Sequence, residues 1–554
     1  MSIIAVDVTP LLPGGTNGGA KPMVLALLQE LPRLMPAAHF VLLTADYSHD
    51  ELAFLDAPNV ERKCVLMTQP ADEARRPSVN QRIRWMARQK IFSRLPLRIK
   101  RPLQQLYYRL RLIRVSTTAP SLLKELGADL LFCTIGTPTY YDPSVPTLSV
   151  VYDLQFQDYP QFFEPEDLML RQLHYQQTCN LSDHIVTISE FTRQSVLQSS
   201  SFQPDQVTTI HISLVHEFET ASTQEVQAFL QRFGLQEKGY LFYPANFWEH
   251  KNHRRLLESF EQFHHGQQHS PLKLVMTGAL DERRQSLQLQ CQAAGLDKKV
   301  VLLGYLPEHE LGILFQNAKA LVFPSLYEGF GIPLLEAMQA GVPVACSNAT
   351  SLPEVGGDSV LYFTPTDTQE ILQAIETLDQ DENIRTMLIE KGMARYKVFG
   401  APREMARKYQ SVIEQILQSH REIRHYGLRG LTEDAWFQET AYLLMPQTKM
   451  ERVLRVTLHV PDWMPTTLEI HVLGKELSEN RLVFPCRETS SQDIHLPSSD
   501  GVIELRFSRA YTPASLGLGE DTRLLSARCL AFCIFEGDQK VFDALTFQPR
   551  KWLE

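Results

Sequence analysis

The chain has 554 residues, of which 44% are hydrophobic and 21% are charged. This is ordinary globular composition, so it excludes a disordered or fibrous protein. The 64 acidic residues outnumber the 54 basic ones, and the net charge of −10 argues against a general nucleic-acid binder. At roughly 150 residues per domain, the length predicts three or four folding units.

Strands alternate with helices along most of the chain. The first series has a strand at 2–8, a glycine-rich loop, a helix at 22–34 and strands at 39–44, 128–134, 147–153 and 184–189. The second series has strands at 239–245, 272–278, 300–304, 320–325, 343–347 and 359–363. Its helices are predicted at 252–264, 282–294, 308–317, 333–340, 368–378, 382–397 and 403–418. Apolar strands of this kind predict parallel sheets covered on both faces, and two series predict two facing Rossmann-like domains.

The pattern changes after residue 422. From about residue 452, segments alternate apolar and polar residues between clusters of turn residues, which predicts an antiparallel β-sandwich of about 100 residues. The predicted fold class is therefore α/β, with two Rossmann-like domains followed by a C-terminal β-sandwich. The predicted boundaries are 1–200 and 201–400 for the two α/β domains, 401–445 for a closing helix and linker, and 446–554 for the sandwich.

A basic segment lies within the first domain. Between Arg82 and Arg114 there are eleven cations and no acidic residue, interleaved with apolar and aromatic side chains. A basic amphipathic segment is typical of binding to an anionic membrane surface, which is the interpretation we favour. A solvated helical face is the alternative. Nucleic-acid binding is disfavoured because the rest of the chain is acidic, so no nucleic-acid partner is expected.

Targeting signals and cysteine spacing bear on the compartment. No basic region precedes a long apolar stretch at the N-terminus, so no signal peptide is predicted. No run of about 18 apolar residues exists, so no transmembrane helix is predicted. The eight cysteines show neither zinc-site spacing nor a disulfide framework. We expect a cytoplasmic protein that binds peripherally to the inner face of the plasma membrane.

The most informative window is residues 321–357. It predicts a buried strand, a tight Glu-Gly-Phe-Gly loop and a helix. Gly329 and Gly331 let the backbone come close to a ligand, and the N–H groups of the helix start form an anion site. Glu328 precedes the loop and Glu336 lies in the first turns of the helix. Such a carboxylate can bind the two hydroxyls of a ribose, or it can complement the helix dipole.

Lys251 follows the first strand of the second series. The carboxyl ends of parallel strands meet at one crevice, so this lysine is expected to face the Glu-Gly-Phe-Gly loop. There it can neutralise a diphosphate leaving group, which a metal would otherwise do. Taken alone, a lysine is more often a surface residue. The Asp379-Gln380-Asp381 segment lies between two helices and is predicted to be a helix cap, so no required metal is expected.

This combination of residues resembles the retaining GT-B glycosyltransferases of family four, the group one glycosyltransferases. The resemblance covers about residues 1–418. It rests on the E-x7-E spacing of Glu328 and Glu336, the GFG loop between them, Lys251-Asn252 after a strand, and the segments 333–344 and 352–359. It implies that Lys251 contacts the donor diphosphate and that Glu328 lies near the donor sugar. The implied donor-binding residues are Gly18, Gly19, Asn246, Lys251, Gly329, Phe330, Gly331, Ile332 and Glu336, and the implied catalytic residues are Glu328, Lys251 and Asp153.

The chain departs from the family pattern at two positions. Tyr152 precedes Asp153 where many members carry His-Asp, so Asp153 is expected to position the acceptor without a neighbouring histidine. Asn246 stands where many members have an arginine. His250 or His253 is a candidate to supply the missing charge, and a solvated histidine is the alternative. The remaining candidate acceptor residues are Tyr152, Ser189 and Glu190, although Ser189 and Glu190 could instead cap the following helix.

The resemblance implies transfer of a sugar, with retention, from a UDP- or GDP-linked donor to a hydroxyl of a glycan or lipid-linked oligosaccharide in cell-surface polysaccharide synthesis. The nucleotide sugar is a substrate, and no cofactor is expected. The segment 508–532 is weakly similar to an accessory domain that follows the catalytic domains of some bacterial glycosyltransferases. Within the predicted sandwich of this chain, Trp463 is a candidate platform for stacking against a sugar, or a core tryptophan. The alternatives are a soluble disaccharide synthase and a non-catalytic nucleotide- or sugar-binding scaffold.

Overall fold

A computed structural model describes most of the chain. The described residues are 2–13, 18–67, 122–142, 145–215, 218–279, 282–420, 427–431, 436–445, 450–461, 467–474, 480–485, 487–497, 501–508, 527–536 and 539–543. The basic segment between Arg82 and Arg114, the first glycines of the N-terminal loop (Gly14 and Gly15) and Trp463 lie outside these residues. The predictions made for them therefore remain predictions.

The first domain is built on a seven-stranded parallel sheet in the order β3-β2-β1-β4-β5-β6-β7. The five inner strands are short apolar runs that are buried through most of their length because helices cover both faces, whereas the two edge strands are more exposed. The strands are β1 Ser2–Asp7, β2 Ala38–Ala45, β3 Val60–Leu66, β4 Leu130–Cys133, β5 Thr147–Val151, β6 His184–Thr187 and β7 Val207–Thr209. The helices are α1 Ala20–Leu34, α2 Asp46–His49, α3 Leu122–Leu126, α4 Gln155–Asp158, α5 Pro165–Leu181 and α6 Glu190–Ser199, with 3₁₀ turns at Glu51–Leu55, Pro160–Phe162 and Pro204–Gln206.

The second domain has a six-stranded parallel sheet in the order β10-β9-β8-β11-β12-β13. Its strands are β8 Tyr240–Pro244, β9 Lys273–Thr277, β10 Val300–Leu303, β11 Ala320–Phe323, β12 Val344–Ser347 and β13 Leu361–Phe363. Its helices are α7 Thr223–Arg232, α8 His253–Gly266, α9 Glu282–Ala293, α10 Glu308–Asn317, α11 Ile332–Gln339, α12 Leu352–Gly356, α13 Thr368–Gln380, α14 Glu382–Tyr396 and α15 Pro402–His420, with 3₁₀ turns at Glu249–Lys251 and Lys397–Phe399. The strand order reverses between β8 and β11, which places the switch point of the sheet there.

The third unit is antiparallel throughout its described residues. Its strands are β14 Gly427–Leu431, β15 Trp436–Met445, β16 Arg452–His459, β17 Leu468–Leu473, β18 Asn480–Phe484, β19 Thr489–Leu496, β20 Gly501–Phe507, β21 Ala527–Glu536 and β22 Gln539–Asp543. The start of β15 pairs with β21 and its end pairs with β20, so this strand joins two halves of the sheet. The buried faces of both halves share one hydrophobic core. The predicted fold class, two Rossmann-like domains with parallel sheets and a C-terminal antiparallel unit, is confirmed.

Helix α15 leaves the second domain and packs against α1 of the first. Its Tyr409 is fully buried, with its ring centroid 5.8 Å from that of Phe132 in β4. One hydrophobic core therefore runs through both α/β domains and includes α15. The first sheet also extends past residue 200, where the sequence suggested a boundary, because β7 pairs with β6. Likewise β14 and β15 pair within the third unit, although the predicted linker covered 401–445.

Candidate active site

The candidate residues of the second domain lie at the switch point of its sheet. Lys251 follows β8 and Glu328 follows β11, and these two strands are neighbours. The side chains that follow them therefore emerge at the same end of the sheet, where α/β proteins bind ligands. Lys251 Nζ donates a hydrogen bond to Glu328 Oε1 at 2.6 Å. The side chains of Lys251 and Glu328 are 15% and 12% exposed, so each carries charge in a largely enclosed site.

Buried polar contacts hold Lys251 in place. The hydroxyl of Tyr243 donates to Lys251 O at 2.6 Å. Asn252 has φ 60°, a left-handed conformation that asparagine tolerates better than most residues, and it starts helix α8. Its amide nitrogen donates to Pro324 O at 2.9 Å and to Pro365 O at 2.7 Å. The Lys251-Asn252 pair thus combines a charge that faces the cleft with a buried anchor that fixes its position.

The Glu-Gly-Phe-Gly loop is tied down by two residues that the sequence did not single out. Glu328 N donates to Thr350 Oγ1 at 3.0 Å. The hydroxyl of Ser351, which is fully buried, contacts both Glu328 O at 2.9 Å and Phe330 O at 3.0 Å. Gly331 follows with φ 109°, a conformation that strongly favours glycine, and it caps α11. The loop conformation is therefore fixed by hydrogen bonds as well as by its glycines.

Glu336 lies on α11, half-buried behind this loop. Burial, with a smaller contribution from Glu308, raises the pKa of its carboxyl to about 7. A carboxylate that is costly to ionise in the free protein gains from a ligand whose hydroxyls donate hydrogen bonds to it. This property fits the ribose-binding role implied for Glu336.

The two α/β domains meet at the glycines of the candidate site. A Cβ atom on Gly329 would collide with the carbonyl oxygen of Tyr152 in the first domain and lie 3.0 Å from Asp153 Cβ. A Cβ atom on Gly19 would lie 2.7 Å from Ile332 Cδ1 at the start of α11. These close approaches bring predicted donor-binding and acceptor-binding residues to one cleft. The backbone contact requires glycine at position 329, whereas at position 19 the tip of the Ile332 side chain would have to move.

Asp153 faces this cleft and is solvent-accessible. Desolvation by the surrounding protein raises the pKa of its carboxyl, and the charge of Glu328 raises this pKa further. The Gln155 amide, Arg171 and Lys251 lower it. Tyr152 is oriented differently, since its hydroxyl donates to Thr134 O at 3.0 Å at the end of β4. Burial raises the pKa of this phenol well above its usual range. Tyr152 thus braces the first sheet with its side chain and contacts Gly329 through its backbone.

The other two predicted acceptor residues lie at the start of α6. Ser189 is fully buried and caps the helix, because its Oγ accepts from Thr192 N at 3.1 Å. The carboxylate of Glu190 accepts from Arg193 at 3.0 Å, from Gln194 at 2.6 Å and from Thr209 Oγ1 at 2.9 Å. The structure therefore supports the capping interpretation of Ser189, and the Glu190 carboxylate is engaged by its own domain.

The structure places Asn246 and the nearby histidines in structural contacts. Asn246 Oδ1 accepts from Ala279 N at 2.9 Å and so links the loops after β8 and β9. Burial, aided by Lys251, His253 and Arg283, lowers the pKa of His250 to about 3. His250 is therefore neutral at physiological pH and does not replace an arginine charge. His253 is buried, with its ring centroid 4.8 Å from that of Tyr243.

Two general searches concern the described residues only. Within them, no group of three or more His, Cys, Asp or Glu side chains has the arrangement of a metal site. Asp381 caps α14 by accepting from Ile384 N at 3.0 Å, and Asp379 pairs with Lys319. Among the described helices, none has the length and apolar character needed to span a bilayer.

Comparison with known proteins finds a similarity that includes the second domain. Residues 227–395 match the family model described as glycosyl transferases group 1. The O-antigen chain mannosyltransferase B of Escherichia coli is 29% identical over 264 residues, which is 47% of this chain and 69% of that protein. The serotype-specific mannosyltransferase WbdA of Escherichia coli is 31% identical over 205 residues, 36% of this chain but only 25% of its own length. Residues 227–395 are therefore similar to the group 1 glycosyl transferases.

Solved structures agree on the fold. A glycosyltransferase from Rickettsia africae superposes with a TM-score of 0.54 at 12% identity, covering 75% of this chain and 99% of that one. Anabaena Alr3699/HepE, determined in complex with UDP and glucose, superposes with a TM-score of 0.53 at 15% identity, covering 75% and 100%. Together with the two parallel sheets, these likenesses show a GT-B fold.

Several contacts that hold the site together carry no local sequence signal. The hydroxyl of Tyr327 accepts from Leu154 N of the first domain at 3.3 Å. Glu354 and His211 contact each other at 2.6 Å although 143 residues separate them. A single serine, tyrosine or histidine is uninformative without knowledge of which domain surface it meets. Only the three-dimensional pairing of the domains identifies these residues.

Proposed function

We propose that this chain is a retaining glycosyltransferase that moves a sugar from a UDP- or GDP-linked donor to a hydroxyl of a glycan or lipid-linked oligosaccharide. The observation that carries the proposal is the 2.6 Å Lys251–Glu328 pair at the switch point of a domain similar to the group 1 glycosyl transferases. Because the relatives in Escherichia coli are named as mannosyltransferases of O-antigen, mannose is the first sugar to test and a cell-surface polysaccharide the first acceptor class.

The donor is bound through two of its parts, the charged diphosphate and the hydroxyls of the ribose. The diphosphate binds against Lys251 and the positive end of the α11 dipole, both of which stabilise negative charge. The ribose hydroxyls donate to Glu336. Since Glu328 is already paired with Lys251, the diphosphate competes with Glu328 for the lysine. The glutamate released by this exchange then faces the donor sugar.

The reaction breaks the bond between the anomeric carbon and the diphosphate oxygen, and the electron pair leaves with the diphosphate. The acceptor oxygen forms its bond to the same face of the sugar, and the hydroxyl proton passes to the departing diphosphate. Positive charge develops on the sugar in the transition state, as in glycoside hydrolysis, and Glu328 stabilises it. Lys251 stabilises the negative charge that accumulates on the leaving group.

Asp153 positions the acceptor. Its side chain faces the cleft and is solvent-accessible, so a sugar hydroxyl can reach it. The surrounding protein raises the pKa of its carboxyl, and a hydrogen bond from a sugar hydroxyl would stabilise the ionised form. The contact between Gly329 and Tyr152 brings the two domains together beside it.

A membrane-bound acceptor would be reached through the basic segment between Arg82 and Arg114, which we propose binds anionic lipid at the inner face of the membrane. The test is co-sedimentation with vesicles that contain phosphatidylglycerol, compared with vesicles of phosphatidylcholine alone. Replacing Arg82, Arg84 and Arg88 by glutamine should release the protein from the anionic vesicles. Equal sedimentation of the wild type with both vesicles would contradict membrane binding.

The function itself is tested by calorimetric titration with UDP, GDP and ADP. One diphosphate should bind, and both Glu336→Ala and Lys251→Ala should weaken it by about tenfold or more. Lys391→Ala is the matched control, because Lys391 forms a comparable ion pair with Asp358 at 2.9 Å on an exposed surface. The diphosphate that binds then selects the sugar donors to assay for transfer.

The outcomes separate the alternatives. Failure of all three diphosphates to bind would contradict the proposal. Binding without transfer to any glycan acceptor would favour a non-catalytic scaffold, which the tyrosine at 152 and the asparagine at 246 would then explain. Transfer to a free monosaccharide in preference to a polymer would indicate a disaccharide synthase.

A further inference from the structure

A carboxylate of the second domain caps a helix of the first. The amide nitrogens of Glu190 and Phe191, at the start of α6, donate to Glu354 Oε1 at 2.7 Å and to Glu354 Oε2 at 3.1 Å. Glu354 lies on α12 of the second domain. With Thr192 N bound by Ser189 Oγ, the first three amides of α6 all have partners, and two of those three bonds cross between domains.

His211 contacts the same carboxylate. Its Nε2 is 2.6 Å from Glu354 Oε1, and the two side chains are 33% and 20% exposed. His211 belongs to the segment that leads from β7 into the second domain. Its ring centroid lies 5.9 Å from that of Phe330 and 5.4 Å from that of Phe399. Glu354 thus connects the start of α6, the crossover between domains and the loop that contains Gly329.

The backbone of Glu354 is itself fixed. Arg395 on α14 donates to Glu354 O and, at 2.9 Å, to Val355 O, and its guanidinium lies 5.2 Å from the ring centroid of Phe399. Hydrogen bonds from His211 and the two α6 amides lower the pKa of the Glu354 carboxyl, although burial alone would raise it. The carboxylate is therefore ionised at neutral pH, and the backbone that carries it is fixed by Arg395.

We infer that Glu354 is a positioning residue that fastens the second domain to the start of α6 and so sets the spacing of the cleft between Gly329 and Tyr152. This inference rests on the proposed function for its catalytic consequence. Separating the domains exposes two helix amides and a carboxylate that the closed form pairs. In the closed form Glu354 makes charge-assisted hydrogen bonds and interacts favourably with the dipole of α6. An open form loses both interactions.

This role differs from that of an ordinary helix cap. Helix α7 is capped from within its own domain by Ser222, which accepts from Glu225 N. The α6 contact instead joins residues 164 positions apart, in different domains. Removing Glu354 should therefore change how the domains associate, whereas removing a cap such as Ser222 should change only the stability of one helix.

The test compares Glu354→Ala and Glu354→Asp with Asp358→Ala, which removes an exposed carboxylate two residues after α12. Hydrogen exchange at the amides of Glu190 and Phe191 should accelerate about tenfold or more in both Glu354 variants and stay unchanged in the control. Small-angle scattering should show a larger radius of gyration. In Glu354→Asp the shorter side chain keeps the charge but does not extend far enough to bind the two α6 amides. This variant therefore still tests the contact if Glu354→Ala folds poorly.

Catalysis supplies an independent measurement. The kcat of sugar transfer should fall about tenfold or more in both Glu354 variants, while the Kd of the bound nucleoside diphosphate changes less than about threefold. Unchanged exchange at the two amides together with an unchanged radius of gyration would overturn the inference, whether or not the chain transfers sugar. Faster exchange with wild-type kcat would also overturn it, because the contact would then stabilise α6 without setting the cleft. If neither the wild type nor the variants transfer sugar, the scattering and exchange data still decide the domain contact, and only the proposed function fails.

Discussion

At the residue scale, the site depends on charges held in partly enclosed positions. Lys251 and Glu328 neutralise each other, and the raised pKa of Glu336 shows that its ionised form is poorly solvated in the free protein. Removing one member of an enclosed ion pair leaves the other without compensation, which costs more than the pair contributes. Single substitutions at these residues therefore have large and non-additive effects.

We expect Lys251→Ala and Glu328→Gln each to lower kcat by about a hundredfold or more, since each removes charge stabilisation from the transition state. The double variant should lose less than the product of the two single effects, because either single substitution also leaves the other charge in an enclosed site without its partner. Steady-state kinetics with the donor identified by calorimetry measures all three variants. Additive losses would show that the two residues work independently.

The raised pKa of Glu336 predicts how the free energy of unfolding and the nucleoside diphosphate affinity depend on pH. Its carboxyl pKa rises from 4.5 to about 7 on folding, so the folded protein binds more protons than the unfolded chain between these values. The free energy of unfolding should therefore decrease as pH rises from about 4.5 to about 7 and then level off. Glu336→Gln should reduce this decrease, as measured by chemical denaturation at several pH values. Nucleoside diphosphate affinity in the wild type should increase from pH 6 to 8, and a flat profile would contradict the ribose-binding role.

At the element scale, the loops between strands and helices position the site, and two glycines decide their geometry. Gly331 has a left-handed φ of 109°, and a Cβ there would lie 2.6 Å from Leu352 Cδ2. Gly329 is limited by contact with the other domain. The same residue type is therefore required at one position by the backbone conformation and the loop packing, and at the other by the approach of a second domain.

This difference predicts different outcomes for alanine. Gly331→Ala should weaken nucleoside diphosphate binding, because the start of α11 must shift. Gly329→Ala should leave that binding within about threefold but lower sugar transfer, because the cleft cannot close fully. Gly266→Ala is the control, since a Cβ there meets no atom within 4 Å. Calorimetry and transfer assays on the three variants measure both quantities, and equal behaviour of Gly329→Ala and Gly266→Ala would contradict the contact.

Sequence patterns predicted elements where burial is uniform. Strands such as β1 and β11 are continuous apolar runs and were placed within a residue or two. Helix α5 was not predicted, because only Thr178 and Cys179 are buried and no apolar stripe marks it. Among site residues, Glu328 and Glu336 were predicted because they share one short motif. The Glu354 contact was not, since its partners come from distant parts of the chain and from another domain.

At the scale of the whole molecule, the two α/β domains share one core while the third unit has its own. No residue of the core of the third unit, among the described residues, belongs to the core of the α/β pair. Helix α15 is essential to the pair, since Tyr409 is buried against the first domain. The α/β pair is therefore one cooperative unit, and the third unit is a separate one.

A chain that ends after His420 should fold and bind the same nucleoside diphosphate with an affinity within about threefold of the full chain. A chain that ends after Gly400 should not, because it lacks α15 and exposes the surface that Tyr409 covers. Circular dichroism during heating and calorimetric titration measure both properties. Loss of binding in the longer fragment would show that the antiparallel unit supports the donor site.

The return of α15 to the first domain also sets an order for biosynthesis. The strands of the first sheet end at Thr209, yet α15 spans Pro402–His420. At typical rates of 5–20 residues per second, roughly 10 to 40 s separate the emergence of these two parts from the ribosome. During that interval the apolar surface of the first domain that α15 later covers stays exposed while the second domain is synthesised. A nascent chain of this kind is a client for chaperones that bind exposed apolar surface, and slow translation between residues 210 and 420 would lengthen its exposure.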